Sequence, residues 1–353
     1  MRTKIIGVGA YIPDLIIGND YFLDHTFFGP DKKRIEQSQE VIIRKFKQIT
    51  GISQRRYASI GVVSSDMAAK AAVEAIAMAQ IDPEEIDVII VAHNYGDMSH
   101  EGAPRDMVPS LASRVKHKLG IVNPHCIPYD VIFGCPGWLH GLIQADLYIQ
   151  TGGARNCLVI GSETLSRVLD PNDRDSLIFS DGAGACIVQG TDSLAHGLLN
   201  SATVSHSIEE VDYIISSEGL AGEESESSFI RMKGRKVYEY ALKHVPQAMK
   251  DCLDQSGHNI GELKMIFIHQ ANEKMDEAII KRFFELYGVD ELPDHIMPMN
   301  ISMMGNNSVA TIPTLLSQVV RGELPGYTLN EGDLILFASV GAGMNINAAT
   351  YIY

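Results

Sequence analysis

The sequence has few cysteines, little positive charge and no long apolar run. Its five cysteines (126, 135, 157, 186 and 252) show no CxxC spacing, which favours a reducing compartment over a disulfide framework. The formal net charge of −15 argues against a nucleic-acid partner. No apolar run is long enough to span a bilayer, and the N-terminus lacks a signal-peptide pattern. We therefore expect a cytoplasmic protein without a membrane segment.

Metal and nucleotide motifs are also missing. The 12 histidines show neither HExxH nor any clustered ligand spacing, so no metal site is predicted. The glycine-rich segments GVGAYI and GAGACI lack the third glycine and the acidic partner of a dinucleotide site. We expect a protein that needs neither a metal nor an organic cofactor.

Apolar strands and helices alternate along the chain, and their order repeats. With 353 residues, 45% of them hydrophobic and 21% charged, the chain is long enough for two similar halves. The strand IDVIIVAHN corresponds to KMIFIHQAN, and the pair NCLVIGSE and GAGACIVQG corresponds to the last two strands. This repetition predicts two α/β halves of βαβαβαββ order, residues 1–195 and 196–353.

The polar, apolar and glycine patterns of the chain also predict four local segments. They are a helix over 34–49, a long polar insertion over 208–231, a mobile loop within it at 218–228, and a short strand over 295–299.

The stretch YDVIFGCPGWLHGLIQADLYIQTGG, residues 129–153, centres on Cys135. A buried strand precedes Cys135, and Pro136 fits the first position of the buried helix that follows. Gly152 and Gly153 end that helix. The N–H groups at the helix N-terminus are expected to stabilise a thiolate and to lower the pKa of Cys135. Cys135 is therefore a candidate nucleophile, with an inert buried thiol as the alternative.

Three further segments carry polar groups or glycine at strand ends and turns. His269 directly follows an apolar strand in FIHQAN, Asn306 lies on the turn MGNNS, and VGAGM at 340–344 is a glycine turn. Each is common outside active sites when taken alone. In a duplicated fold, corresponding turns of the two halves can meet, so Cys135, His269 and Asn306 can converge.

Taken together, these segments resemble the β-ketoacyl-acyl-carrier-protein synthase III enzymes of the thiolase superfamily. The resemblance runs nearly end to end and is strongest over 135–190, with HQAN, GNNS and the final GAG following in family order. It implies a thiolase-like five-layer αβαβα fold, a homodimer, and a ping-pong Claisen condensation of acyl thioesters.

The resemblance also implies residue roles. Cys135 would carry the acyl group, and the N–H groups of Cys135 and Gly343 would form the oxyanion hole. His269 and Asn306 would donate hydrogen bonds to the thioester carbonyl of the second substrate and stabilise its enolate.

For substrate binding, the resemblance places Arg174 at the coenzyme A site and Lys274 near the docking site for acyl carrier protein. Asn272 would orient a water molecule or a neighbouring catalytic group. A surface ion pair and a solvated helix face are the alternatives for Arg174 and Lys274.

The chain departs from the pattern of chain-initiating synthases at several positions. Lys45 stands where those enzymes carry a tryptophan that stacks on adenine, Met304 replaces a histidine, and Val108 replaces a bulky aromatic contributed to the partner's acyl pocket. A smaller Val108 would lengthen that pocket, and the 93–106 and 208–231 segments would shape a second acyl channel. These differences suggest a ketosynthase that joins longer chains, as in dialkylresorcinol biosynthesis, with an acyl carrier protein as a credible donor.

Two alternative interpretations are less favoured. A degradative thiolase needs a second cysteine in the final glycine turn, and SVGAGMN has none. A catalytically silent partner subunit is the non-enzyme alternative, against which the intact Cys135, His269 and Asn306 argue.

Overall fold

A computed structural model describes residues 1–221 and 228–353. Most of the loop predicted to be mobile at 218–228 therefore lies outside the described residues. The first half contains, in chain order, β1 (Arg2–Tyr11), β2 (Leu15–Gly18), α1 (Gln39–Thr50), β3 (Gln54–Tyr57), α2 (Ser64–Ala79), β4 (Val88–Ala92), α3 (Leu111–Lys118), β5 (Ile127–Val131), α4 (Gly137–Gln150), β6 (Asn156–Thr164) and β7 (Asp181–Thr191).

The remaining strands and helices begin at residue 197. They are β8 (Gly197–Ser205), β9 (Ile214–Ser217), β10 (Phe229–Met232), α5 (Gly234–Ser256), β11 (Leu263–Ile268), α6 (Glu273–Glu285), α7 (Ile301–Met304), α8 (Thr311–Val320), β12 (Leu334–Gly341) and β13 (Asn345–Ile352).

Two mixed sheets form the framework. The first has the order β1-β7-β6-β4-β5, with β4 parallel to both β5 and β6. The second has the order β11-β12-β13-β8, with β11 parallel to β12 and the other pairs antiparallel. Every residue of β4 is buried, as its all-apolar sequence predicts for a parallel strand covered on both faces.

Helices complete the layers. Both α4 and α8 contact strands of the two sheets and so lie between them, whereas α2 and α3 cover the first sheet and α5 covers the second, with α6 against it. In the middle layer the ring of Trp138 on α4 packs edge-on against Phe337 of β12, with centroids 6.0 Å apart. The predicted five-layer αβαβα arrangement is confirmed, and it buries α4 except toward its C-terminal end, where Leu147, Tyr148 and Gln150 are exposed.

Two predicted elements differ from the structure. The strand over 295–299 is wrong: the segment is irregular, His295 has φ of +58°, and only the carbonyl of Ile296 accepts a bond from the neighbouring strand, from Ile266 N–H at 2.7 Å. Pro298 within the segment and Pro293 just before it lack the N–H that a continuous ladder needs. The helix predicted over 34–49 begins only at Gln39, because Arg34 forms an isolated bridge with Phe28.

The polar insertion over 208–231 also has regular structure that its composition does not indicate. β9 and β10 pair antiparallel, from Ile214 opposite Met232 to Ser217 opposite Phe229. Arg231 forms ion pairs with Asp170 and Asp173, which attaches the hairpin to the 165–178 segment. The insertion is therefore anchored against the first half of the chain.

Candidate active site

Cys135 lies on the turn between β5 and α4, as the sequence predicts. Gly134 has φ of +66° and its carbonyl accepts a hydrogen bond from Gly137 N–H at 3.0 Å. Pro136 precedes the first helical residue instead of occupying that position, a difference of one residue. The turn thus presents the thiol at the N-terminus of a buried helix.

A second glycine turn, from the other half of the chain, packs against this one. A Cβ atom on Gly341 would lie 2.4 Å from the backbone nitrogen of Cys135, and one on Gly134 would lie 2.6 Å from that of Ala342. Only glycines allow the two backbones to approach so closely. Gly343 follows in the same turn with φ of +75° and is partly exposed.

Cys135, His269 and Asn306 line one cavity of about 220 Å³. Its other lining residues are mostly apolar and include Tyr95, Leu165, Phe179, Ile214, Ile230, Met232 and Val340. The strand-end and turn residues singled out in the sequence are thus brought together by the packing of the two halves.

The imidazole of His269 is buried and uncharged. Burial lowers its pKa to about 4, so the ring is neutral at physiological pH. The backbone N–H of His269 donates to the carbonyl of Ala338 at 2.8 Å, while Nδ1 has no hydrogen-bond partner within the described residues. A neutral ring keeps one N–H available as a donor.

The backbone around Asn306 fixes the direction of its amide. Oδ1 accepts a hydrogen bond from Ser308 N–H at 2.8 Å, which leaves Nδ2 as the free donor. The main chain of Asn306 bonds to the carbonyl of Ile178 and to Ser180 N–H, each at 2.9 Å. The residue is therefore a rigid amide donor facing the cavity.

The expected fall in the pKa of Cys135 is wrong. Burial raises the pKa of the thiol to about 11, and the nearby Glu163 carboxylate adds to this effect. A hydrogen bond from Ser308 Oγ, 3.3 Å from Sγ, acts in the opposite direction. The helix position alone does not outweigh the loss of solvation, so the resting thiol is protonated.

Comparisons with known proteins then decide the family. Residues 129–207 match the family model of 3-oxoacyl-[acyl-carrier-protein (ACP)] synthase III, and residues 253–353 match the model of its C-terminal region. A beta-ketoacyl-[acyl-carrier-protein] synthase III from Vibrio vulnificus is 33% identical over 350 residues, covering 99% of both chains. The chain belongs to the 3-oxoacyl-acyl-carrier-protein synthase III family. It is a condensing acyltransferase, as its resemblance predicts.

Other similar proteins match this chain along nearly its whole length. A beta-ketoacyl-[acyl-carrier-protein] synthase III from Cereibacter sphaeroides is 31% identical, covering 98% of this chain and 97% of its own. The crystal structure of 3-oxoacyl-[acyl-carrier-protein] synthase III from Aquifex aeolicus superposes with a TM-score of 0.80 at 29% identity, covering 99% and 100%. The priming beta-ketosynthase of the R1128 polyketide pathway gives a TM-score of 0.81 at 26% identity, covering 99% and 96%. The predicted thiolase-like fold is confirmed.

A larger cavity of about 680 Å³ shares Asn306, Ala271 and Met275 with the apolar one. Arg174 and Lys45 line it, as does Asn272, whose side chain also caps α6 by accepting from Met275 N–H at 3.2 Å. Asn272 therefore has a structural role as a helix cap, and the orienting role predicted for it would use the same side chain. The two cavities are therefore adjacent, and the larger one would form an entrance to the smaller.

A basic segment at this entrance was not predicted from the sequence. Lys233, Arg235 and Lys236 line the large cavity together with Arg174. The run KGRK at 233–236 is the signal in the sequence, but it lies just beyond the predicted insertion over 208–231 and has no predicted role.

Two predicted substrate-binding residues lie outside both cavities. Lys274 is exposed on the first turn of α6. Val108 is 86% exposed and lines neither cavity of its own subunit. Any role of Val108 in an acyl pocket would therefore involve a second subunit.

The hairpin and the 93–106 segment build one wall of the apolar cavity. Ile214, Ile215 and Ile230 come from the hairpin, and Tyr95 and Arg105 from the 93–106 segment. The Arg105 guanidinium stacks 4.8 Å above the ring of Tyr95 and donates to the carbonyl of Ser228 at 2.9 Å. These contacts bind the two segments to each other.

Within the described residues, no group of three or more His, Cys, Asp or Glu side chains is arranged to hold a metal ion. In the same part of the chain, no helix is both long and apolar enough to cross a membrane.

Proposed function

We propose that Cys135 is the nucleophile of a ping-pong Claisen condensation and that His269 and Asn306 stabilise the enolate. The observation that carries this proposal is their convergence in one cavity: a thiol at a helix N-terminus, a neutral imidazole and an amide with a free N–H. None of these residues needs a cofactor for this chemistry.

In the first half-reaction, Sγ of Cys135 attacks the carbonyl carbon of an acyl thioester. The carbonyl oxygen becomes negatively charged and accepts hydrogen bonds from the N–H groups of Cys135 and Gly343. The bond to the leaving sulfur then breaks, and the thiol proton ends on the leaving thiol. Because the resting thiol is protonated, proton loss accompanies the attack.

In the second half-reaction, another thioester becomes a carbanion by loss of carbon dioxide or of a proton. His269 and Asn306 donate to its carbonyl oxygen as that oxygen gains negative charge. The carbanion attacks the acyl carbon on Cys135, a C–C bond forms, and the C–S bond to Cys135 breaks. The product is a β-keto thioester, and Cys135 leaves as a thiolate. That thiolate takes up one proton, from solvent after decarboxylation or equivalent to the one released from the α-carbon after deprotonation, which regenerates the free enzyme.

The thioesters are those of coenzyme A, of acyl carrier protein, or of both. Support comes from the basic entrance formed by Arg174, Lys233, Arg235 and Lys236, since both carriers are negatively charged. Lys274, exposed beside this entrance on α6, would extend the docking surface. Asn272 would position a water molecule at the junction of the two cavities.

Intact-protein mass spectrometry tests the nucleophile. We expect incubation with acyl-coenzyme A or acyl-carrier-protein thioesters to add one acyl mass to the wild-type chain and none to Cys135→Ala. Cys126→Ala, which removes a buried thiol remote from the cavity, is the matched control and should acylate normally. An adduct that persists in Cys135→Ala contradicts the proposal, and no adduct with any donor favours a silent partner subunit.

A second candidate is a specialised synthase that joins two longer acyl chains, of the dialkylresorcinol type. The favouring observation is the apolar wall that β9 and β10 add to the inner cavity. A panel of donors from acetyl to long chains distinguishes the two. Adducts from acetyl-coenzyme A alone indicate a chain-initiating enzyme, and adducts from medium or long chains indicate the specialised one.

We also propose a homodimer formed through β5. This strand is the last of its sheet; Ile127 at its start is 53% exposed and Ile132, one residue beyond its end, is 58% exposed. Leu147 and Tyr148 of α4 are exposed as well, and the ring of Tyr148 lies beside Tyr129 of β5. An open strand edge with apolar neighbours favours pairing with a second copy. Such pairing would cover the exposed Val108, which would then reach the partner's acyl pocket.

Two further expectations remain proposals. The five cysteines are free thiols, which fits the reducing cytoplasm. The residues 1–195 and 196–353 each contribute one sheet to the framework, which supports their origin as duplicated halves.

A further inference from the structure

A chain of partly buried hydrogen bonds leads from Cys135 to a carboxylate that the condensation does not use. Ser308 Oγ lies 3.3 Å from Cys135 Sγ and also 3.3 Å from Nδ2 of Asn94. The same Nδ2 donates to Oε1 of Glu163. Glu163 and Ser308 are buried, with 1% and 4% of their surfaces exposed.

The chemistry of the amide fixes the direction of this chain. An amide nitrogen can only donate, so Ser308 Oγ must accept from Asn94. Ser308 has a single hydroxyl hydrogen, and it is left to point at Sγ. When ionised, the Glu163 carboxylate holds the amide in this orientation, because a flipped amide would bring Oδ1 against the carboxylate oxygen. Burial raises the pKa of Glu163 to about 7, so the ionised form predominates above that pH.

The backbone holds Ser308 in an unusual conformation that suits this role. Its φ is +52°, in the left-handed region that non-glycine residues seldom adopt. Its N–H donates to Oδ1 of Asn306, so the same residue connects the amide donor and the thiol. A strained backbone at such a position is typical of functional sites.

We propose that Ser308 and Asn94, held in place by Glu163, are positioning residues that aim a hydrogen-bond donor at Cys135 Sγ and stabilise the thiolate formed during acylation. A donor directed at sulfur favours the charged form and so offsets part of the cost of burial. This proposal rests on the proposed role of Cys135 as the nucleophile.

Other titratable groups face these residues and contribute to any pH profile. Tyr95, Glu163 and His269 lie around Cys135, and His93 and Asp181 lie around Glu163. The charge on Glu163 itself opposes a thiolate, so its orienting role has to be separated from its charge.

The test is the pH dependence of Cys135 alkylation by iodoacetamide, located by peptide mass spectrometry on the full chain. Ser308→Gly removes the hydroxyl, and glycine accepts the positive φ without strain. We expect its alkylation midpoint to rise by about one pH unit, with roughly tenfold slower reaction at neutral pH. Asn94→Asp replaces the donor with an acceptor, turns the Ser308 hydrogen away from sulfur, and should shift the midpoint in the same direction.

Two variants serve as controls. Ser162→Ala deletes an equally buried hydroxyl on β6 that bonds instead to Ser64, and it should leave the midpoint unchanged. Glu163→Gln keeps an acceptor for the Asn94 amide and should not reproduce the Ser308→Gly shift.

An unchanged midpoint in Ser308→Gly, or an equal shift in Ser162→Ala, overturns the proposal. A Glu163→Gln profile that matches Ser308→Gly overturns the part assigned to Glu163. Alkylation reports the thiol itself and not turnover. A shift seen in an enzyme that never forms an acyl adduct would therefore uphold the hydrogen-bond chain and contradict the proposed nucleophile.

Discussion

At the scale of single residues, burial sets the charge of His269 and of the Cys135 thiol. His269 keeps a pKa of about 4 in the folded chain, against an ordinary value of 6.5. Below pH 6.5 the unfolded chain binds a proton that the folded chain does not. The neutral His269 therefore leaves the free energy of unfolding undiminished above about pH 6.5. As the pH falls toward 4, protonation of the unfolded chain lowers the free energy of unfolding.

We expect the loss to approach about 3 kcal/mol in the free energy of unfolding at pH 4. Urea unfolding of the wild type and of His269→Asn, at several pH values between 4 and 7.5, isolates the effect as the difference between the two curves. If the free energy of unfolding changed with pH equally in both proteins, His269 would not be buried in its neutral form.

Gly134 provides a second test at this scale. Gly134→Ala would combine a positive φ with a Cβ atom only 2.6 Å from Ala342 N, which should separate the two active-site turns. We expect it to lower the free energy of unfolding by about 1–3 kcal/mol more than its control does and to abolish the acyl adduct. The control is Gly152→Ala, whose φ is +74° but whose Cβ would meet nothing within 4 Å.

Thermal or urea unfolding and the acylation assay measure both effects. Equal behaviour of Gly134→Ala and Gly152→Ala would mean that the contact between the turns is unimportant and that only backbone strain matters.

At the scale of elements, the hairpin of β9 and β10 determines the shape of the inner cavity. Ile230 lines this cavity and packs against the cluster that contains Tyr95 and Phe179. Ile230→Phe adds volume there, so we expect the longest chain that forms an adduct on Cys135 to become shorter, while short chains react as before.

A panel of acyl donors measured by mass spectrometry gives this limit directly. Ile208→Phe, at a position 94% exposed in the same insertion, is the matched control and should leave the limit unchanged. An unaltered limit in Ile230→Phe would exclude the hairpin as a determinant of chain length.

At the scale of the whole molecule, we expect the open edge of the first sheet to determine assembly. Ile127→Arg places a charge on this edge, and we expect it to convert a dimer into a monomer, since burying an unpaired charge is costly. Size-exclusion chromatography with light scattering measures the mass. Leu194→Arg, at a 69% exposed site after β7, should remain dimeric. A wild-type protein that is monomeric would contradict the proposed interface.

Sequence patterns and packing determined different parts of this protein. Strands such as β4, helix α4 and the turn that carries Cys135 follow from apolar periodicity, Pro136 and nearby glycines, which act over a few residues. The motifs around Cys135, His269 and Asn306 were enough to predict the family and the fold. The strand predicted at 295–299 was wrong, and the hairpin within 208–231 was not predicted. In both cases neighbouring elements decide whether such short segments pair.

Only the tertiary structure decided the protonation of the site. The sequence places Cys135 at a helix N-terminus, where a lowered pKa is expected, but closure of the two halves removes water and raises it instead. The contacts among Ser308, Asn94 and Glu163 join residues up to 214 positions apart, so no local pattern reveals them. Solvation and hydrogen-bond direction depend on everything that packs around a group, and the fold alone assembles those surroundings.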